Sequence, residues 1–333
     1  MGIFGFYRKP TKQIVKNKGA EVVDGNVLTV TDSNGTITRT YDALNRVSSY
    51  TDTFGNTIQY EYDTVGNLVR MIYPDHTAVS YEYDANHNLT KVTDWACGET
   101  SYTYDVNNKV VGVTKPDGSI TTIVYDNAQR VVSSTERTAS GAVITGFEYV
   151  YDALGRISEE SRIENNLKLC YTYDELSRVT QRKTINLTDN SENLENFTYD
   201  ASGNVTSGVF IYDTNNRLTS YNGQTVTYDM DGNMTSAPLE GGVNAFEYDS
   251  ANRLLKAGEL AYTYNAEDVR IRSLYEGEET IYTYHTNCKL SQMLMKTTNG
   301  VVTKYVYGLG LIGEETNGRG LYVFRICQSI FSF

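Results

Sequence analysis

Along this chain, apolar and aromatic side chains alternate with polar ones over short runs, as in Tyr60-Glu-Tyr62, Tyr81-Glu-Tyr83 and Tyr102-Thr-Tyr104. Successive side chains in a strand point to opposite faces, so an aromatic-x-Tyr run sets two rings on one face. Apolar residues do not recur at i, i+3, i+4 and i+7 over any long window, so no helix is predicted. An Asp follows most of these runs, and its carboxylate can accept from backbone N–H groups two residues on, opening a turn. A Gly or Asn inside that turn tolerates positive φ. Six residues after the Tyr, an apolar side chain starts a return strand. The pattern predicts β-hairpins.

The hairpin is a repeat. Tyr-Asp recurs at Tyr41, Tyr62, Tyr83, Tyr104, Tyr125, Tyr151, Tyr173, Tyr199, Tyr212, Tyr228 and Tyr248, and Tyr264-Asn265 is a twelfth copy. The first four intervals are 21 residues each and the others run from 13 to 26. Five residues after the Tyr stands Arg, Asn or Lys, as at Arg46, Asn67, Lys109 and Arg156, and the next residue is apolar, as at Val47, Leu68, Val110 and Ile157. A Gly upstream of the Tyr, at Gly35, Gly55, Gly98, Gly118 and Gly300, is expected to mark the opposite turn. The 186–196 stretch reads as a polar insertion between hairpins. A lone hairpin is marginally stable in water, so neighbours must pair edge to edge, as in a repeat array. The expected fold is therefore all-β: tandem hairpins in one long curled or spiral antiparallel sheet. Twelve hairpins give about 24 strands, more than the ~10 an open twisted sheet usually reaches without curling. Residues 41–315 carry the array, 1–40 read as a partial or degenerate repeat, and 316–333 as a truncated or aberrant tail.

Composition explains little that the repeat does not. The 28 Tyr, against 10 Phe and 1 Trp, fall largely at the two aromatic places of the unit. Buried rings are expected there, and Tyr104→Ala is expected to cost about 3–5 kcal/mol on that basis. A net charge of −12, with basic residues scattered singly, argues against nucleic-acid binding, which needs clustered Lys and Arg. Cys97, Cys170, Cys288 and Cys327 are widely spaced and form no C-x-x-C pair, so they read as free thiols. The first ten residues lack the apolar stretch of a signal peptide, and no run approaches the ~20 apolar residues of a membrane helix.

Candidate chemistry is thin. Gly308-Leu-Gly310-Leu-Ile-Gly313 matches G-x-G-x-x-G in letters, but a dinucleotide site needs a strand–helix context, and a repeat turn is the expectation. Asp229-Met-Asp231-Gly232-Asn233, with Glu240 at the twelfth position, resembles a calcium loop, yet Tyr-Asp-x-x-Gly-Asn is also the repeat turn. His76, His87 and His285 stand apart in sequence and are expected on surface turns. The repeat Asp residues suit turn capping, and the repeat Arg residues are expected to bond the turn Asp or stack on the Tyr of the next hairpin. Asn196-Phe-Thr198 is a sequon that the repeat itself generates. No catalytic, cofactor-binding or metal-binding residue is assigned, and no cofactor is expected.

The motifs YEYDTVGNLVRM, YVYDALGRISEE, YDELSRVTQR, FTYDASGNV, YDMDGNMT and YTYNAEDVRIR, together with YVYGLGLIGEE at Tyr305–Glu315, resemble the YD repeats of the RHS family, in its wall-associated or polymorphic-toxin types. The resemblance covers residues 26–315. It implies a spiral sheet forming part of a hollow β-shell around a polypeptide, commonly a C-terminal toxin. It further implies a non-catalytic structural role in interbacterial competition or at the cell surface, an extracellular location, and the remainder of the shell as partner. After Glu315 the family continues into a core segment with a self-cleavage motif and then a toxin. This sequence ends GRGLYVFRICQSIFSF instead, which reads as a truncated fragment. A carbohydrate- or cell-wall-binding array using exposed tyrosines is the alternative expectation.

Overall fold

The computed structural model describes residues 19–322, apart from 240–241. Among them all regular structure is β, in 31 strands that fall into antiparallel sheets of 17, 11 and 3 strands. No helix of the described residues is long and apolar enough to cross a membrane. The all-β class and the antiparallel hairpin repeat stand, and regular strands extend on both sides of 41–315, with Asn26–Asp32 before it and Arg319–Tyr322 after it. The described residues form two compact units, one of 19–109, 114–116 and 259–322, the other of 110–113 and 117–258.

One hairpin illustrates the unit. Strand Thr57–Tyr62 pairs with Leu68–Ile72, with Tyr60 opposite Met71 and Tyr62 opposite Leu68, and the register slips by one residue between Glu61 and Tyr62. In the turn, the Gly66 N–H donates to the Asp63 carbonyl at 3.3 Å, and the Asp63 N–H donates to the Asn67 carbonyl at 3.0 Å. This is a type I turn followed by a left-handed residue that forms a bulge, a common hairpin closure. The residue four places after the Tyr takes positive φ in all twelve copies: Asn45, Gly66, His87, Asn108, Gln129, Gly155, Ser177, Gly203, Asn216, Gly232, Asn252 and Asp268. That requirement explains the run of Gly and Asn there.

The opposite turns reuse this geometry in the regular repeats. Gly55 (φ 84°) and His76 (φ 66°) occupy the same left-handed place. In the third such turn that place belongs to Cys97 (φ 63°) rather than to Gly98, whose carbonyl accepts from the Asp94 N–H. The 186–196 stretch is also more ordered than its polarity implies. Asn186 ends strand Val179–Asn186, and Glu192–Asn196 pairs back along it. Cross-strand ion pairs Arg182–Glu195 (2.6 Å) and Lys183–Glu192 (2.7 Å) replace apolar packing there.

The consensus side chains are spent on joining one hairpin to the next. Asp63 Oδ1 accepts from the N–H groups of Val65, Gly66 and Asn67, and Oδ2 accepts from the Asn67 side chain at 2.7 Å. Where Arg replaces Asn, its Nε makes the same bond, as from Arg156 to Asp152 at 2.7 Å. The Tyr hydroxyl donates to the carbonyl of the apolar residue one unit back: Tyr62 to Val47 (2.9 Å), Tyr83 to Leu68 (2.9 Å), Tyr173 to Ile157 (2.5 Å). Arg guanidinium groups cover the next Tyr ring, with Arg46 over Tyr62 at 4.7 Å and Arg156 over Tyr173 at 4.4 Å. The deepest ring is the one two residues earlier. Tyr60, Tyr81 and Tyr102 are 4%, 4% and 7% exposed, whereas Tyr62, Tyr83 and Tyr104 are half-buried. The burial expected of Tyr104 therefore belongs to Tyr102.

Candidate functional site in the seam of the first unit

The first unit brings hairpins from the two ends of the sequence together. Asn34 Nδ2 donates to the Tyr264 carbonyl (2.8 Å), and Arg39 pairs with Glu267 (2.6 Å). Thr283 Oγ1 donates to Asp52 Oδ2 (3.4 Å), His285 Nδ1 lies 3.1 Å from the Tyr60 hydroxyl, and Asn287 Nδ2 donates to the Tyr62 hydroxyl (2.9 Å). Tyr73 donates to the Tyr305 carbonyl (2.7 Å), and Trp95 Nε1 donates to Glu315 Oε2 (2.5 Å). The partners are 220 to 232 residues apart throughout. Successive repeats of one stretch thus meet successive repeats of the other, in step.

This seam contains the residues that sequence reasoning missed or misplaced. His285 is 2% exposed, at the end of strand Glu278–His285, and is not a surface-turn residue. It follows Tyr282-Thr-Tyr284, so it stands where the other copies carry Asp, and the register slip between Thr283 and Tyr284 repeats the slip of the Tyr-Asp copies. The aromatic-x-Tyr spacing alone was the available signal. The same holds for Tyr305-Val-Tyr307 followed by Gly308, with its slip between Val306 and Tyr307. Gly308 and Gly310 close the turn between Val301–Tyr307 and Leu311–Thr316, so the G-x-G-x-x-G letters lie on a strand–turn–strand. A side chain at Gly308 would collide with the Tyr102 hydroxyl.

Other candidates stay in their turns. His76 and His87 are exposed, at left-handed turn positions. Asp229 Oδ1 accepts from the Asp231 and Asn233 N–H groups and Oδ2 from the Asn233 side chain, the ordinary repeat cap. Glu240 lies outside the described residues. Asn196 accepts from Gln181 at 2.9 Å at a strand end. Cys97, Cys170 and Cys288 are free thiols, and Cys327 lies outside the described residues. Among the described residues, no three His, Cys, Asp or Glu side chains gather as a metal site would require.

Beside the Arg39–Glu267 pair, two buried groups of the seam are His285 and Lys304. Burial pulls the His285 imidazole down to about 4. In the unfolded chain it titrates near 6.5, so the unfolded state binds the extra proton between those values. Stability is therefore full above pH ~6.5 and falls as pH drops toward 4, by roughly 3 kcal/mol. Asp52 acts with the opposite sign, because burial raises its carboxyl above the usual range, and it offsets part of the loss at the acidic end. The turn Asp63 carboxyl is pushed up by burial but held low overall by the Asn67 side chain and three N–H groups, so its contribution is lost only below the ordinary carboxylate range. The urea midpoint is expected to be lower at about pH 4.5 than at about pH 7, and His285→Gln should flatten the difference. An unchanged midpoint across that interval counts against a buried neutral imidazole.

The second group is Lys304, 8% exposed. Its Nζ lies 3.1 Å from Asp75 Oδ2, 3.3 Å from Glu315 Oε1 and 4.2 Å from the centre of the Trp95 ring. Burial raises the Asp75 carboxyl, but hydrogen bonds from Thr77 and Lys304 outweigh it and hold it below the usual range. The single Trp of the chain thus serves as a wall of this cluster.

Tyr, Asp and Arg that link each hairpin to its neighbour, and a seam stepped at repeat intervals, define a tandem YD-hairpin scaffold. The Teneurin YD-shell family model matches residues 14–183 and 133–324, and the chain belongs to that family. A search among curated proteins returns no match. Among solved structures, a TcdB2-TccC3-Cdc42 crystal structure is similar with a TM-score of 0.59 at 14% identity, covering 84% of this chain and 18% of that one. A Photorhabdus luminescens Tc holotoxin pore carrying a TccC3 mutation gives 0.58 at 15% identity, covering 87% and 16%. TcdB2-TccC3 gives 0.54 at 14% identity, covering 87% and 18%. At these identities the likeness is one of fold, and the chain spans less than a fifth of each of those chains.

Proposed function

We propose that the chain is a non-catalytic wall segment of a YD-shell protein, which assembles with further shell segments around an enclosed polypeptide such as a toxin, outside the cell that makes it. The observation that carries this reading is how the repeat residues are used. In most copies the Tyr hydroxyl meets a backbone carbonyl, the turn Asp accepts from the N–H groups of its own turn, and, where the unit carries Arg, the guanidinium covers the next ring. Such groups hold a wall together and leave little for a ligand. Family membership and the fold likeness to Tc toxin chains support the enclosing role. Produced with the remaining segments of its parent polypeptide, the chain is expected to co-purify with them and to shield the enclosed segment from protease. An enclosed segment cleaved equally fast with and without the chain overturns the reading. Saturable binding to peptidoglycan would favour the glycan alternative, which the covered Tyr rings disfavour.

A further inference from the structure

We propose that Lys304 and Asp75 condense to an intramolecular isopeptide bond, with Glu315 as proton carrier, tying the amino-terminal hairpins of the first unit covalently to its carboxy-terminal strands. Lys304 lies in strand Val301–Tyr307, directly opposite Glu315 in the register with Leu311–Thr316. Asp75 lies in a turn between Leu68–Ile72 and Ala78–Tyr83. The buried amine faces both carboxylates within 3.3 Å, and Trp95 closes a third side. Tyr73, 1% exposed, packs edge-on against Trp95 at 5.4 Å and excludes water behind it.

Each oxygen of the cluster has a separate partner. Asp75 Oδ1 accepts from the Thr77 N–H (3.1 Å) and the Thr77 hydroxyl (2.6 Å), whereas Oδ2 faces the amine. Glu315 Oε2 is fixed by Trp95, whereas Oε1 faces the amine. The ammonium first passes one proton to Asp75 Oδ2, an uphill step for a carboxyl held below its usual range, which leaves both groups neutral with no change in net charge. The Nζ lone pair adds to Asp75 Cγ as Glu315 Oε1 takes a second proton. Charge gathers on Oδ1, where the two Thr77 donors already point. Glu315 returns its proton to Oδ2, the Cγ–Oδ2 bond breaks, and water leaves on the side where the Asp75 side chain is 35% exposed. One amide and one water are formed, Glu315 is restored, and nothing is oxidised or reduced. Holding amine and carboxyl in contact supplies the effective concentration that the same groups lack in water.

The test is the intact mass of the purified full chain, denatured for the measurement after folding is confirmed by its β circular dichroism and a cooperative melt. The expected mass is one water below that of the sequence, and digestion should release a branched peptide joining the Asp75 and Lys304 segments. Lys304→Met should restore the sequence mass. Glu315→Gln, whose amide oxygen can still accept from Trp95, should fold and form the link at least tenfold more slowly. A folded wild-type chain at full sequence mass overturns the proposal, as does a water loss that maps to any other pair of peptides. A Glu315→Gln chain that links at the wild-type rate removes Glu315 from the chemistry.

Discussion

Removal of residues 259–333 is expected to abolish the cooperative unfolding of the amino-terminal hairpins and to expose dye-binding apolar surface. Those hairpins keep every hydrogen bond of their own ladder after the cut, so local propensity predicts little change. The seam predicts otherwise. Tyr60 loses His285, Tyr73 loses the carbonyl of Tyr305, Tyr102 loses the close backbone of Gly308, and Val27 and Val30 lose Ala266. A large apolar side chain contributes ~1.5–3 kcal/mol when fully buried. Five such losses match the ~5–15 kcal/mol that holds a typical domain together. Arg39 loses its ion pair with Glu267 as well. A residue 1–258 chain whose melt stays cooperative and within a few degrees of the full chain would show that the seam contributes little.

The second large effect separates the two tyrosines of one unit. Tyr81→Ala is expected to cost about 3–5 kcal/mol, the range for deleting a buried aromatic ring. Tyr81 is 4% exposed, and burial lifts its hydroxyl far above the ordinary phenol value. Tyr104→Ala should cost less, about 2 kcal/mol, because its half-buried ring gives up less packing and one 2.6 Å bond to the Leu89 carbonyl. The YD tyrosine is then a linker between hairpins, and the aromatic two places earlier is the core residue. Chemical denaturation of the two variants, with equal slopes, measures both. Equal losses would contradict the assignment of core to Tyr81 and link to Tyr104.

These expectations show where the amino-acid pattern suffices. The strand–turn–strand unit follows from local rules: period-2 alternation, an Asp that caps its own turn, and a left-handed position that Gly and Asn occupy with least strain. The linking roles of Arg46 and Arg156 follow as well, because the repeat spacing puts each one beside the next Tyr. The class of fold and the family resemblance therefore stood in the sequence, and so did the turn at Gly308 and Gly310. The strand Glu192–Asn196 did not, since its polar residues pair through ion pairs that become visible only once Val179–Asn186 is alongside.

What the sequence could not determine is which hairpins meet face to face. His285 looked like a turn residue because its surroundings come from Tyr60, 225 positions away. Lys304, Asp75, Trp95 and Glu315 are unremarkable singly, and their chemistry exists only where two distant stretches register in step. Local periodicity repeats the same unit throughout, so it holds no information on which copies stack. That choice rests on the burial and polar matching of particular side chains, and the tertiary structure alone decides it.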